Sequence, residues 1–300
     1  MLGLWITLLL LLGDAPPICP TENPPPGTHQ HTLISDDILR DYTLYIPPNI
    51  AEDTPAPLIV ALHGLGDTVE NFMQLSDWAA IADRDGAILV FPAGFRGRWH
   101  VNVFGRNDID DVLFLHDLLD ELAALTCYDA ARVFINGFSN GGGMAERFAC
   151  SAPERVAAVG IVGGAVEANF DACAADVAAS APVPLIAIHG LRDSIVPYRG
   201  INVDGLRLPD IGRWIESWAA RNDCEPSPQI QTISAQIERT IYTDCAADVL
   251  LYTVADGRHE WYGGQQTARV VRPPNDAIDA SETLWGFARE QFAVIDTAAP

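Results

Sequence analysis

A serine set between glycines at the end of an apolar run is a device for nucleophilic chemistry. The run "ARVFINGFS" is followed at once by "NGGGMAERFACSAP". Gly137-Phe138-Ser139-Asn140-Gly141 therefore reads G-x-S-x-G with a strand before it and a helix after it, the setting in which a sharp turn lifts a serine hydroxyl clear of a sheet. Glycine costs backbone entropy and packs nothing, so its repeated use here points to a geometric need. A serine hydroxyl is a weak nucleophile that needs a base, and the base needs a carboxylate to orient it. Around such a turn the chain order is serine, acid, histidine. His259, in "VADGRHEW", is the one histidine beyond the plausible acid, while His29, His31, His100 and His189 precede it and His116 sits on a helix. The acid candidate is Asp193, directly after the apolar run "PLIAIHG"; Asp171 and Asp176 compete, but neither directly follows a buried strand. The chemistry would be acyl transfer, which also needs N–H donors for a developing oxyanion. Those expected are the backbone N–H of Asn140 and that of Leu65 in "LHGLGDT", with His63 and Gly64 shaping the loop.

The elements that must position these groups alternate along the chain. "HTLISDD" and "DYTLYIPP" suggest an opening hairpin. Short apolar runs, "PLIVALHG", "AILVFPAG", "ARVFINGFS", "VAAVGIVGG", "PLIAIHGLRD" and "VLLYTVADGRH", read as buried strands. Between them "TVENFMQLSDWAAIADRDG", "NDIDDVLFLHDLLDELAALT" and "DIGRWIESWAARND" carry helical spacing, and a closing helix is expected from about Asp276 to Phe292. Such alternation implies an α/β fold, a mostly parallel central sheet with helices on both faces, whose ligands sit beyond the C-terminal ends of the strands. Ser139, Asp193 and His259 all fall at such ends. "NDIDD" resembles a metal cluster only superficially, lacking the glycine and terminal glutamate of a calcium loop. Acidic residues at a helix start explain it, and neither a metal nor a cofactor is expected.

Three hundred residues, 49% of them hydrophobic, suffice for a large core. A net charge of −22 sets the long-range field against nucleic acid and against an anionic membrane surface. All eighteen basic residues are arginine. The apolar run Leu2–Leu12 is too short to span a bilayer and suits a signal peptide over residues 1–18, though without a basic start. A Pro-rich tether over residues 19–27 follows, then one catalytic domain over residues 28–300. Export is the expectation, with a lipid anchor at Cys19 as a weaker variant. Six cysteines fit an oxidising compartment.

On "LHGLGDT", "DIDDVLF", "RVFINGFSNGGGMAERFAC", "HGLRDSIVPYRG" and "GRHEWYGG", the chain resembles the secreted esterase family that includes polyhydroxybutyrate depolymerases and feruloyl or acetyl-xylan esterases. The resemblance runs from about Leu44 to about Gly264 and implies a lid-less α/β hydrolase with the triad Ser139, Asp193 and His259. It also implies oxyanion donors at Leu65 and Asn140, and disulfides pairing Cys150 with Cys173 and Cys224 with Cys245; the pairing of Cys19 and Cys127 stays open. The chain departs from the family pattern at His100, Arg258 and Tyr262.

Only "EANFDACAADVAASAPV" separates "GIVGG" from "PLIAIHG", too little for a helical lid, so an open cleft for bulky or polymeric esters is expected. Trp99 and Trp261, on loops beside that cleft, either stack against substrate or pack as partly buried core residues. The leading expectation is a secreted, monomeric carboxylic ester hydrolase acting on a polyester or on a feruloyl or acetyl ester of a polysaccharide. A serine peptidase with the same triad and a non-catalytic binding protein on a hydrolase scaffold are the alternatives.

Overall fold

The computed structural model describes residues 19, 23–51, 54–101, 109–165, 181–203 and 206–298. The sequence readings of residues 1–18, of Cys173 and of most of the short segment that argues against a lid lie outside the described residues.

In chain order the elements are β1 (Gly27–Ser35), β2 (Ile38–Ile46), β3 (Ala56–Leu62), α1 (Val69–Ser76), α2 (Trp78–Asp85), β4 (Ile88–Pro92), α3 (Asp111–Leu125), β5 (Tyr128–Phe138) and α4 (Asn140–Ser151). Then come β6 (Ala158–Val162), β7 (Leu185–Gly190), β8 (Ile201–Val203), β9 (Leu206–Leu208), α5 (Ile211–Arg221), β10 (Gln229–Thr232), β11 (Ile237–Tyr242), β12 (Val249–Val254) and α6 (Ala280–Ala298). Ten strands form one sheet in the order β1-β2-β4-β3-β5-β6-β7-β12-β11-β10. The central run from β4 to β12 is parallel throughout, and hairpins add antiparallel strands at both edges. β4, β6 and β7 are buried along their whole length, which is what strands covered on both faces require.

The cover forms two cores. Leu118 and Leu122 of α3, Met144 and Phe148 of α4, and Trp214 and Trp218 of α5 pack on one face of the sheet. Phe72 of α1, Trp78 of α2, and Leu284 and Trp285 of α6 pack on the other. The fold is the expected α/β class.

Two local features differ from the sequence expectation. The single helix expected up to Gly86 is two, because Asp77 adopts a left-handed conformation (φ 53°) that ends α1 and precedes α2. That break brings Trp78 fully into the core. The small antiparallel pair β8–β9, Ile-Asn-Val against Leu-Arg-Leu, is too short for its alternation to mark it, and the edge strand β10, with one apolar residue in four, carries none.

Cys224 and Cys245 form a disulfide as the family resemblance implies. It ties the chain just after α5 to the turn between β11 and β12. Cys19 pairs with Cys127, and the Cys127 N–H donates to the Asn23 side chain at 2.7 Å, so the tether is fastened to the domain. This corrects the lipid-anchor reading of Cys19, since the sulfur that a lipid thioether would use is in the disulfide. Cys150 is disulfide-bonded as well. Among the described residues no cysteine is a free thiol, and no helix is long and apolar enough to cross a membrane.

The Cys224–Cys245 link closes a loop of sequence separation 21. Replacing both cysteines by serine is therefore expected to cost about 3 kcal/mol of unfolding free energy by chain-entropy arguments. Urea denaturation of the double variant measures it, and an unchanged midpoint would remove the brace.

Candidate active site

The turn after β5 is built by exclusion. A Cβ on Gly137 would collide with the backbone of Gly141, and one on Gly141 with the carbonyls of Leu62 and His63. Ser139 itself is held at φ 55°, a region that non-glycine residues enter only when their surroundings enforce it. Its N–H donates to the Val162 carbonyl at 2.9 Å and its own carbonyl accepts from Gly143 at 3.0 Å, locking the turn to β6 and to α4.

Strands β7 and β12, neighbours in the sheet, deliver the other two groups. The His259 ring lies 2.8 Å from the Ser139 hydroxyl through Nε2 and 2.8 Å from Asp193 Oδ2 through Nδ1. A carboxylate accepts, so Nδ1 carries the proton and Nε2 is left to accept from the serine O–H. Asp193 Oδ1 takes two backbone N–H groups, from Ile195 and Val196, each at 2.8 Å. Burial alone would raise the Asp193 pKa; the hydrogen bond and charge of His259, with the Val196 N–H, outweigh it and hold the carboxyl below its ordinary value. The structure thus brings the three residues singled out from chain order into one hydrogen-bonded line.

A fourth residue supports Asp193. His189, on β7, is buried and its Nε2–H donates to the Val196 carbonyl at 2.8 Å, closing the turn whose N–H groups grip Asp193. The same nitrogen stands 3.6 Å from Asp193 Oδ2. Burial pushes the His189 pKa down. A histidine neutral in the fold but protonated when unfolded lowers stability as pH falls below its unfolded value of about 6.5. The wild-type melting temperature is therefore expected to drop between pH 7 and pH 5, and by less in His189→Gln; calorimetric scans at the two pH values compare them.

The loop after β3 carries the expected oxyanion donor. Gly94 N–H donates to His63 Nε2 at 3.0 Å, so the proton of His63 is on Nδ1, which donates to the Gly64 carbonyl at 2.8 Å. Burial keeps this imidazole neutral, its pKa lowered. The Gly64 C=O and the Leu65 N–H belong to one trans peptide and point opposite ways. By gripping the carbonyl, His63 turns the Leu65 N–H away from itself. Gly64 abuts Ser139, since a Cβ there would lie 3.6 Å from the Ser139 Cβ. The Asn140 N–H, at the first turn of α4, has no partner within the helix. The Asn140 side chain accepts from the Trp99 N–H at 2.8 Å and donates to the Trp99 carbonyl at 3.0 Å.

Trp99 and Trp261 are corrected as substrate platforms, because each is 1% exposed. Trp99 donates its indole N–H to the His63 carbonyl at 3.0 Å and stacks on Phe114, pinning the loop after β3. Trp261 donates to Ser281 Oγ at 3.0 Å and packs edge-on against Phe72 and Phe138. Both indoles found partners inside the protein. Tyr262, a departure from the family pattern, is buried and donates to the Arg258 carbonyl at 2.7 Å, bracing the turn that presents His259. The exposed side chains on the loops after β3 and β7 are instead Leu65, Leu191 and Ile195.

The acidic stretch before α3 divides its work. Asp110 caps the helix through two N–H groups. Asp111 is buried, paired with Arg40 at 2.7 Å and with the His100 Nδ1 at 2.9 Å. Among the described residues no group of three His, Cys, Asp or Glu side chains is placed to hold a metal ion.

This fold and this serine turn define an α/β hydrolase, and the comparisons with known proteins agree. The family model of the esterase PHB depolymerases matches residues 40–189, half of the chain, and the chain belongs to that family. Feruloyl esterase C of Emericella nidulans is 28% identical over 74% of this chain and 76% of its own. Feruloyl esterase B of Piromyces equi is 28% identical over 73% of this chain and 42% of its own. Among solved structures, the acetyl xylan esterase from Aspergillus awamori superposes with a TM-score of 0.59 at 16% identity, covering 86% of this chain and 99% of its own. An S-formylglutathione hydrolase from Agrobacterium tumefaciens does so at 0.55 and 14% identity, over 89% and 93%. These likenesses carry the fold.

Proposed function

We propose that the protein is a secreted serine esterase that cleaves carboxylic esters through an acyl-enzyme. The single observation that carries the reading is the continuous line Ser139–His259–Asp193, two contacts of 2.8 Å with the imidazole in the tautomer that can accept the serine proton. Ser139 Oγ attacks the ester carbonyl while His259 Nε2 takes its proton, and Asp193 stabilises the imidazolium. The Leu65 and Asn140 N–H groups receive the oxyanion. His259 returns the proton to the leaving alcohol, then activates a water that releases the acid and restores the serine.

Membership of an esterase family supports ester over amide. The disulfides support an oxidising, extracellular location. The short connection between β6 and β7 supports an open cleft, and the exposed Leu65, Leu191 and Ile195 supply apolar contact for an acyl group. Bulky or polymeric esters, polyesters or acylated polysaccharides, are the substrate class.

A fluorophosphonate probe tests the assignment. It is expected to label Ser139 alone in folded protein, with p-nitrophenyl acetate turned over at least a hundredfold faster than the matched anilide, on the order of 3 kcal/mol in barrier. Labelling elsewhere, or a faster anilide, would overturn it.

A further inference from the structure

The side chain of Asn140 opens α4 yet does nothing for that helix. Asparagine near a helix start ordinarily turns back to bond its own backbone. Here the amide reaches the loop after β4 instead, to a residue 41 positions earlier in the chain. It accepts from the Trp99 N–H at 2.8 Å and donates to the Trp99 carbonyl at 3.0 Å. A backbone N–H can only donate and a carbonyl only accept, so the two contacts fix which end of the amide is which.

Trp99 is held from other directions as well. Its carbonyl and the His100 N–H belong to one peptide, and that N–H donates to Asp111 Oδ2 at 2.7 Å. Asp111 is in turn paired with the buried Arg40. The indole of Trp99 is tied to the His63 carbonyl. The same loop grips the loop after β3 at two further points. Gly94 N–H donates to His63 Nε2 at 3.0 Å, and the Gly97 carbonyl accepts from the Gly66 N–H at 2.7 Å. His63 and Gly66 bracket the peptide that carries the Leu65 N–H. The loop after β4 thus joins the two proposed oxyanion donors, holding one through its loop and the other through the Asn140 amide.

Two N–H groups serve one oxyanion only at a fixed separation. The backbone bonds of the serine turn run to β6 and within α4, so they leave its distance from the loop after β3 unset. The close packing of Gly141 on the Leu62 and His63 carbonyls limits how near the turn can come. The amide clamp limits how far it can drift.

We propose that the Asn140 side chain is a positioning residue, whose amide keeps the N–H of its own residue in register with that of Leu65 so that both meet one oxyanion. The proposal rests on the serine-esterase reading and adds to it a residue that acts through its side chain.

Two variants test it. Asn140→Ala removes the clamp, and Asn140→Leu removes it while keeping the branched shape of the side chain. In both, kcat on p-nitrophenyl acetate is expected to fall about 10²-fold, the scale of a misplaced or lost oxyanion donor, with KM within about threefold. Phenylboronic acid reads the site without turnover, since Ser139 Oγ adds to boron and the tetrahedral adduct places an oxygen where the oxyanion would sit. Its inhibition constant is expected to rise by the factor by which kcat/KM falls, the mark of an interaction made in the transition state. A side chain that only braced the fold would lower the melting temperature and leave the boronate affinity of the folded protein unchanged. Either variant keeping about a third or more of wild-type kcat, or a fall in kcat with unchanged boronate affinity, overturns the proposal. A wild type inert toward both p-nitrophenyl acetate and the boronate would instead sink the esterase reading, and the positioning role with it.

Discussion

Ser139→Ala is expected to lower kcat on p-nitrophenyl acetate by about 10⁵–10⁶-fold, the loss seen when a hydrolase of this type is deprived of its nucleophile. The reasoning is local. Oγ is the one atom removed, and its partner in the structure is the His259 imidazole at 2.8 Å. The backbone bonds that lock the turn, Ser139 N–H to Val162 and Gly143 N–H to Ser139, are untouched. Alanine meets the same cost at φ 55° as serine does. The melting temperature should therefore stay within a few degrees while activity collapses, and KM should move little because the oxyanion donors and the apolar rim remain. The residue of rate, about 10³-fold over water, would come from those donors. Stopped-flow or discontinuous assays of the purified variant beside its melting curve make the comparison. A variant retaining a tenth of wild-type kcat would show that another group attacks the ester.

How much of this was legible beforehand differs by residue, and for physical reasons. Ser139, Asp193 and His259 could be read because chain order and strand ends constrain them one-dimensionally; each sits where an apolar run stops. The proposal for Leu65 and Asn140 as oxyanion donors rests on the same logic, since backbone N–H groups and not side chains would receive an oxyanion. The tryptophans failed because a loop position does not say which way an indole points. Trp99 and Trp261 turned inward to donate to the His63 carbonyl and to Ser281, partners far away in sequence. Chain order sets His189 aside as a base, and its grip on the Val196 carbonyl is a tertiary fact that no spacing announces. The Cys19–Cys127 link, 108 residues apart, belongs to the same class, since connectivity cannot be deduced from sequence. The break at Asp77 was missed because apolar periodicity continues across it; only the left-handed φ separates α1 from α2.

Asp193→Asn isolates orientation from charge, and its expected effect is a fall in kcat of about 10⁴-fold at neutral pH. Asparagine fills the same space. Its carbonyl oxygen can keep the two N–H donors that Asp193 Oδ1 now holds, those of Ile195 and Val196. The amide NH₂ must then face His259 Nδ1. Two donors cannot share a hydrogen bond, so the imidazole changes tautomer and places its proton on Nε2. That nitrogen then points a hydrogen at Ser139 Oγ and cannot accept one. Geometry is kept and the base is lost. The same substitution has a stability signature. The hydrogen bond and charge of His259 hold the Asp193 pKa below its ordinary value against the opposing effect of burial. A depressed carboxyl contributes stability that is fully present above the unfolded pKa of about 3.9 and is lost as pH falls through the folded value. The wild type should thus lose melting temperature below about pH 4 more steeply than Asp193→Asn, which carries no titrating group there. Calorimetry from pH 7 to pH 3 reads the slopes, and nitrogen-15 spectra of the His259 ring read the tautomer. Equal acid slopes in the two proteins, or an unchanged tautomer beside an inactive variant, would mean that Asp193 acts through something other than its bond to His259.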